Sequence, residues 1–137
     1  MANKLYPKIK EALLQGNANL SSGTVKAVLL DTGAYTQADT HEFLSSVPSA
    51  ARIGTPQTLG TKTFTNGVFD AADSQFTGVP TGSSTAAQLE AILIYLDTGT
   101  ESTSRLVAIL DTGTGLPVTP NGGNINVTWD AAGIFAL

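Results

Sequence analysis

Apolar and polar positions along this chain follow two periods. From about Tyr6 to Gln15, Ile9, Ala12 and Leu13, with Leu14 beside them, recur at helical spacing. Pro7 suits the first turn of such a helix, where its missing N–H would have no partner. Gly16 suits its end, because it adopts the left-handed conformation that closes a helix. After Gly23 the period changes. "TVKAVLL" is apolar and β-branched, and predicts a strand ending at Asp31. "DTHEFLSSVP" predicts a short helix, with Asp39 as cap, Glu42 reaching back in a capping box and Pro48 as terminator. Phe43 and Leu44 would then pin it over one end of the core.

From Ile53 onward the chain alternates as strands do. "TKTFT" places Thr61, Thr63 and Thr65 on one face and Lys62 and Phe64 on the other. Asn66-Gly67 predicts a hairpin turn, since both residues tolerate positive φ. "VFDAADSQFTGV" predicts one bent strand or two short ones, and "VPTGSSTAAQ" a polar loop. "LEAILIYL" and "RLVAIL" are the most apolar runs and flank "DTGTESTS". They predict a hairpin with a long turn, placed in the middle of a sheet because neither face is polar. "GLPVTPNGGN" is turn chemistry throughout. "INVTW" puts Ile125, Val127 and Trp129 on one face, and Trp129 is expected to be buried between sheets. "DAAG" turns the chain and "IFAL" ends it. The sum is an all-β fold of roughly eight short strands, a jelly-roll-like β-sandwich with a short N-terminal helix. Residues 1–137 form one domain, in which 1–16 is an N-terminal arm or helix.

Composition narrows the function classes. Of 137 residues only 13% are charged, about half the usual share, and Thr, Ser, Gly and Ala fill the space. A surface rich in hydroxyls is common among β proteins that build larger assemblies. The formal net charge of −4 disfavours nucleic acid, whose phosphates call for a basic patch. The charge is uneven, however: Lys4, Lys8 and Lys10 face one acid, Glu11, within the first eleven residues. They read as the solvated face of a helix, with a docking arm as the alternative. Lys4, Leu5, Tyr6, Lys8 and Lys10 are accordingly the candidate contacts to a neighbour. With no Cys, neither disulfide nor thiol chemistry is available. No apolar run is long enough for a membrane-spanning helix, and "MANKLYPKIK" lacks the apolar core of a signal peptide. The expectation is a protein made in the cytoplasm that leaves it, if at all, by another route than secretion.

One motif bears on catalysis. "DTG" occurs at Asp31, Asp97 and Asp111, each time after an apolar strand. Leu29 to Ala34 matches the retroviral type of aspartic protease, in which two carboxylates share a proton across a two-fold axis. Three copies in equivalent settings fit that chemistry poorly, since a dimeric enzyme needs one per chain. Asp97 and Asp111 are also separated by little more than a hairpin. A turn explains all three copies: Asp accepts N–H groups beyond the strand, Thr prefers extended backbone and Gly supplies positive φ. His41, the only histidine, reads as a surface or capping residue. No calcium loop, nucleophile elbow, phosphate loop or dinucleotide fingerprint is present. Catalytic residues, cofactor and metal are therefore all expected to be none, and no small-molecule substrate is implied.

Several stretches together resemble a family of small virion proteins of tailed bacteriophages. They are "MANKLYPKIKEALL", "LLDTGAYT", "HEFLSSVPSAARIGTP", "LDTGT" and "GLPVTPNGGNINVTWDAAGIFAL", covering nearly the whole chain. The resemblance implies a structural role without catalytic residues. It implies a capsid cement (decoration) protein, seated on the outer capsid surface and bridging subunits of the major capsid protein. Self-association as a dimer or trimer accompanies that role, and neither membrane nor nucleic acid is a partner. The alternatives are a tail or fibre-associated structural protein and, from another class, a homodimeric aspartic protease using Asp31.

Overall fold

The computed structural model describes residues 4–79, 91–110 and 122–137. The chain is mostly β with one short helix. Its centre is the hairpin of β6 (Ala91–Asp97) and β7 (Arg105–Leu110), joined through "DTGTESTS" as the apolar runs predict. β2 (Thr24–Leu30) pairs with the other side of β6, and β3 (Arg52–Thr58) lies beyond it. β1 (Lys4–Leu5) pairs with the outer side of β7, which completes an antiparallel sheet in the order β1-β7-β6-β2-β3. Residues 91–95 and 106–110 are all buried, so the middle of this sheet is covered on both faces. That is why those runs show no polar alternation. β3 carries Pro56, which an edge strand tolerates because one side has no ladder to supply. The register of β2 against β3 slips between Ala27 and Leu29, a bulge beside that proline.

Two small sheets complete the described strands. β4 (Val68–Phe69) pairs with β9 (Phe135–Ala136), and β5 (Ser74–Phe76) with β8 (Ile125–Val127). "VFDAADSQFTGV" therefore resolves into two short strands. Helix α1 (Pro7–Leu14) buries Ile9 and Ala12 and lies against β7. Gly16, at φ 74°, lets the amides of Gly16 and Asn17 turn back to the carbonyls of Leu13 and Ala12. That pairing satisfies the orphan carbonyls of the last turn.

Three local expectations are corrected. "DTHEFLSSVP" is not a capped helix, and only Leu44–Ser46 makes a single 3-10 turn. Its backbone has a better partner: Leu106 N–H donates to Glu42 O at 2.9 Å and Leu44 N–H to Ser104 O at 2.8 Å. This segment thus continues the edge of β7 where β1 stops, and Glu42 pairs with Arg105 at 2.8 Å instead of capping. Asp39 pairs with Lys4. "TKTFT" is not a regular strand either, because Thr61 has φ 52° and only Thr63 bridges, to Asp70. Asn66 and Gly67 do turn with positive φ, 56° and 76°. Trp129 lies beyond β8 and is only partly buried, with its indole N–H donating to Ala72 O at 3.0 Å. The described residues contain nine strands, near the roughly eight expected, of which β1, β4 and β9 have two residues each. Most of the "VPTGSSTAAQ" and "GLPVTPNGGN" stretches lie outside the described residues.

Candidate functional site

Two of the three Asp-Thr-Gly copies are described, and in both the aspartate accepts the glycine N–H; Gly99 has the expected positive φ, 86°, whereas Gly33 does not, and the Asp31 copy is instead closed by the Ala34 N–H donating to Asp31 O at 3.1 Å. At the end of β2, Asp31 Oδ1 accepts the Gly33 N–H at 2.8 Å, while its own N–H donates to Ala51 O at 2.9 Å. Asp31 is buried, at 1% exposure. At the end of β6, Asp97 Oδ1 accepts the Gly99 N–H at 3.1 Å and the Ser104 hydroxyl at 3.5 Å. Its Oδ2 lies 3.0 Å from Lys26 Nζ. Burial pushes the Asp97 carboxyl up, but the Gly99 amide, the Lys26 ammonium and Ser104 together outweigh it and hold the group below the usual range. Thr24 pairs with Asp97, and Leu30 with Ala91. The two aspartates therefore sit at opposite ends of the sheet, about 20 Å apart at a strand rise of about 3.3 Å per residue. Two carboxylates at that distance cannot share a proton. Asp111 lies outside the described residues.

The five N-terminal candidates divide between surface and interior. Lys4 is exposed on β1 and paired with Asp39, whose carboxyl it holds below the usual range by hydrogen bonding. Leu5 is partly buried beside it. Tyr6 is wholly enclosed at 0% exposure, so its ring serves the core and is not presented to a neighbour. Lys8 pairs with Glu11 at 3.0 Å, one helical turn away. Lys10 is exposed, and its side chain makes no salt bridge or hydrogen bond among the described residues, though its charge adds to that of Lys4 at Asp39.

Tyr6 begins a chain of side-chain hydrogen bonds that the sequence does not announce. Its hydroxyl lies 2.9 Å from the Tyr35 hydroxyl, which lies 2.8 Å from His41 Nδ1. Burial raises both phenols above their ordinary value, Tyr6 further because Tyr35 also holds its neutral form. His41 is thus the outer end of this chain, a role that its helix-capping reading missed. Lys62 was equally illegible. Its ammonium donates to the carbonyls of Leu20 at 2.7 Å, Ser21 at 3.2 Å and Gly23 at 2.6 Å.

An apolar groove of about 460 Å³ opens where α1 meets the C-terminal tail, lined by Leu5, Lys10, Leu13, Leu14, Ala136 and Leu137. Leu14 is 89% exposed and Leu137 71%. It shares Leu5 and Ala136 with a smaller cleft of about 210 Å³ between β1 and β9, lined also by Lys4, Ala108, Leu110, Ile134 and Phe135. Among the described residues, no group of three or more His, Asp or Glu is placed to hold a metal ion, and no helix is long and apolar enough to cross a membrane. The chain matches no family model and no curated protein sequence.

Proposed function

We propose that this chain is a bacteriophage virion structural protein, a capsid cement protein that binds the assembled shell of the major capsid protein on its outer surface. One observation carries the reading. The opening and closing stretches that resemble small phage virion proteins lie far apart in sequence, yet they converge on one exposed groove. Leu5, Lys10, Leu13 and Leu14 come from the first, and Ala136 and Leu137 from the second. Convergence of this kind supports a shared contact surface. The sparse charge of the chain fits a protein bound by many weak contacts repeated over a particle. The proposal includes a jelly-roll-like arrangement, with the small sheets stacked on the five-stranded one. It also includes self-association as a dimer or trimer, and synthesis in the host cytoplasm.

Binding to the assembled shell but not to free subunits stabilises the shell by mass action. Particles lacking this protein should therefore rupture at lower temperature or osmotic stress than complete ones. A reconstruction of the intact particle should show it on the outer capsid. Particles that package DNA and resist heat normally but fail to attach to cells would place the protein in the tail instead.

A further inference from the structure

Among the described residues, the outer edge of β1 has no strand partner. In an antiparallel ladder, successive residues turn their N–H and C=O groups alternately toward and away from the neighbouring strand. Lys4 pairs with Ile109, Leu5 with Ala108, and the Tyr6 N–H donates to Val107 O at 3.0 Å. Lys4 and Tyr6 therefore face β7, and the backbone N–H and C=O of Leu5 face outward. β1 ends the sheet among the described residues, so no described strand of that sheet meets them. The cleft of about 210 Å³ runs along this edge, between β1 and β9, with an apolar floor. It shares Leu5 and Ala136 with the groove of about 460 Å³ that Leu14 borders at 89% exposure. The rim is basic. Lys4 pairs with Asp39 and Lys8 with Glu11, whereas Lys10 on the groove wall makes no salt bridge among the described residues and acts on Asp39 only through its charge.

From this juxtaposition we infer that the slot between β1 and β9 takes one extended acidic segment of a neighbouring protein, added as a strand on Leu5. Alternate apolar side chains of the segment enter the cleft and the groove, as in other cases of strand addition. Its carboxylates meet Lys10 and, in competition with Asp39, Lys4. A basic segment meets the same rim with like charge and is rejected. A lysine on a two-residue edge also deters indiscriminate pairing, so an acidic strand is the one the edge admits. The inference deepens the assembly reading by naming the chemistry of the partner's contact, and it rests on that reading only for which protein donates the segment.

The test uses the full chain and three end-blocked heptapeptides: alternating valine and glutamate, alternating valine and lysine, and the glutamate peptide with a central proline. Fluorescence anisotropy gives the affinity, and amide chemical shifts give the place. The glutamate peptide should bind in the range of tens of micromolar, and the lysine and proline peptides about tenfold or more weaker. Shifts should concentrate on Leu5, Lys10, Leu14 and Ala136. Leu14→Glu, at a position too exposed to affect folding, should weaken the glutamate peptide about tenfold, equal to about 1.4 kcal/mol. Equal binding of the three peptides, indifference to Leu14→Glu, or no binding at about 1 mM overturns the inference. So does a sedimentation result in which the chain dimerises and Leu14→Glu abolishes the dimer, because the occupant is then a second copy. Heat-sensitive particles without the protein, together with a failed peptide test, would reject the edge while keeping the cement reading. The reverse pair would reject cement and keep the edge.

Discussion

Truncating Tyr6 tests whether the N-terminus is an arm or part of the domain. The ring is completely enclosed and ranks among the largest fully buried side chains. Removing a buried aromatic ring to Ala costs roughly 3–5 kcal/mol, transfer and cavity together. Part of that loss is the hydroxyl, bonded to Tyr35 at 2.9 Å. Tyr6→Phe isolates it and should cost about 1 kcal/mol, since Tyr35 keeps its bond to His41. Packing then accounts for about 3 kcal/mol of the Tyr6→Ala loss. A domain of 137 residues has a stability of about 7–20 kcal/mol at the usual value per residue, so Tyr6→Ala should still fold. Urea unfolding followed by circular dichroism measures all three proteins. The order wild type, Tyr6→Phe, Tyr6→Ala, with the larger step second, is expected. A Tyr6→Ala loss below about 1 kcal/mol would show that the ring is not in the core, and the docking-arm reading would return. For the same reason, deleting residues 1–6 should destabilise the domain and not merely detach it from particles.

Three further outcomes follow from the site geometry. The chain has three tyrosines, Tyr6, Tyr35 and Tyr95, all buried, and burial raises all three phenols, Tyr95 to about 12. Groups with raised folded values stabilise fully below the unfolded value of about 10 and lose that stability as pH rises. Tyrosinate absorbance should therefore stay flat near pH 10 and then rise in one step with unfolding; a gradual rise centred near 10 would contradict the burial. Asp97 is held below its ordinary value, so its contribution is present above about pH 4 and lost as pH falls through the folded value. Asp97→Asn should flatten the acid limb of the stability curve, and an unchanged limb would discount the Lys26 pair. Asp31→Asn keeps an oxygen for the Gly33 amide and should cost about 1 kcal/mol. Neither it nor the wild type should cleave denatured protein at acid pH; inhibitor-sensitive cleavage by the wild type, lost in Asp31→Asn, would establish the protease.

What the sequence alone determined is local. Pro7 and Gly16 bracket α1 because one lacks a donor where none is needed and the other turns where a carbonyl must be met. The runs at 91–96 and 105–110 lie at the centre of the sheet because only a strand covered on both faces can be apolar throughout. Asp-Thr-Gly makes a turn at Asp31 and Asp97 because its hydrogen bond spans two residues. Tertiary structure decided whatever depends on where the chain returns. Glu42 had a capping box within reach of its own backbone, but Arg105 and the open edge of β7 offered an ion pair and a ladder. Tyr6 was one apolar residue in a lysine-rich opening until the fold buried its ring and brought Tyr35, itself bonded to His41, to its hydroxyl. The groove exists only because residues near position 10 meet residues near position 136. Side chains that distant carry no periodicity in common, so their meeting is set by strand order and packing, which local sequence patterns do not encode.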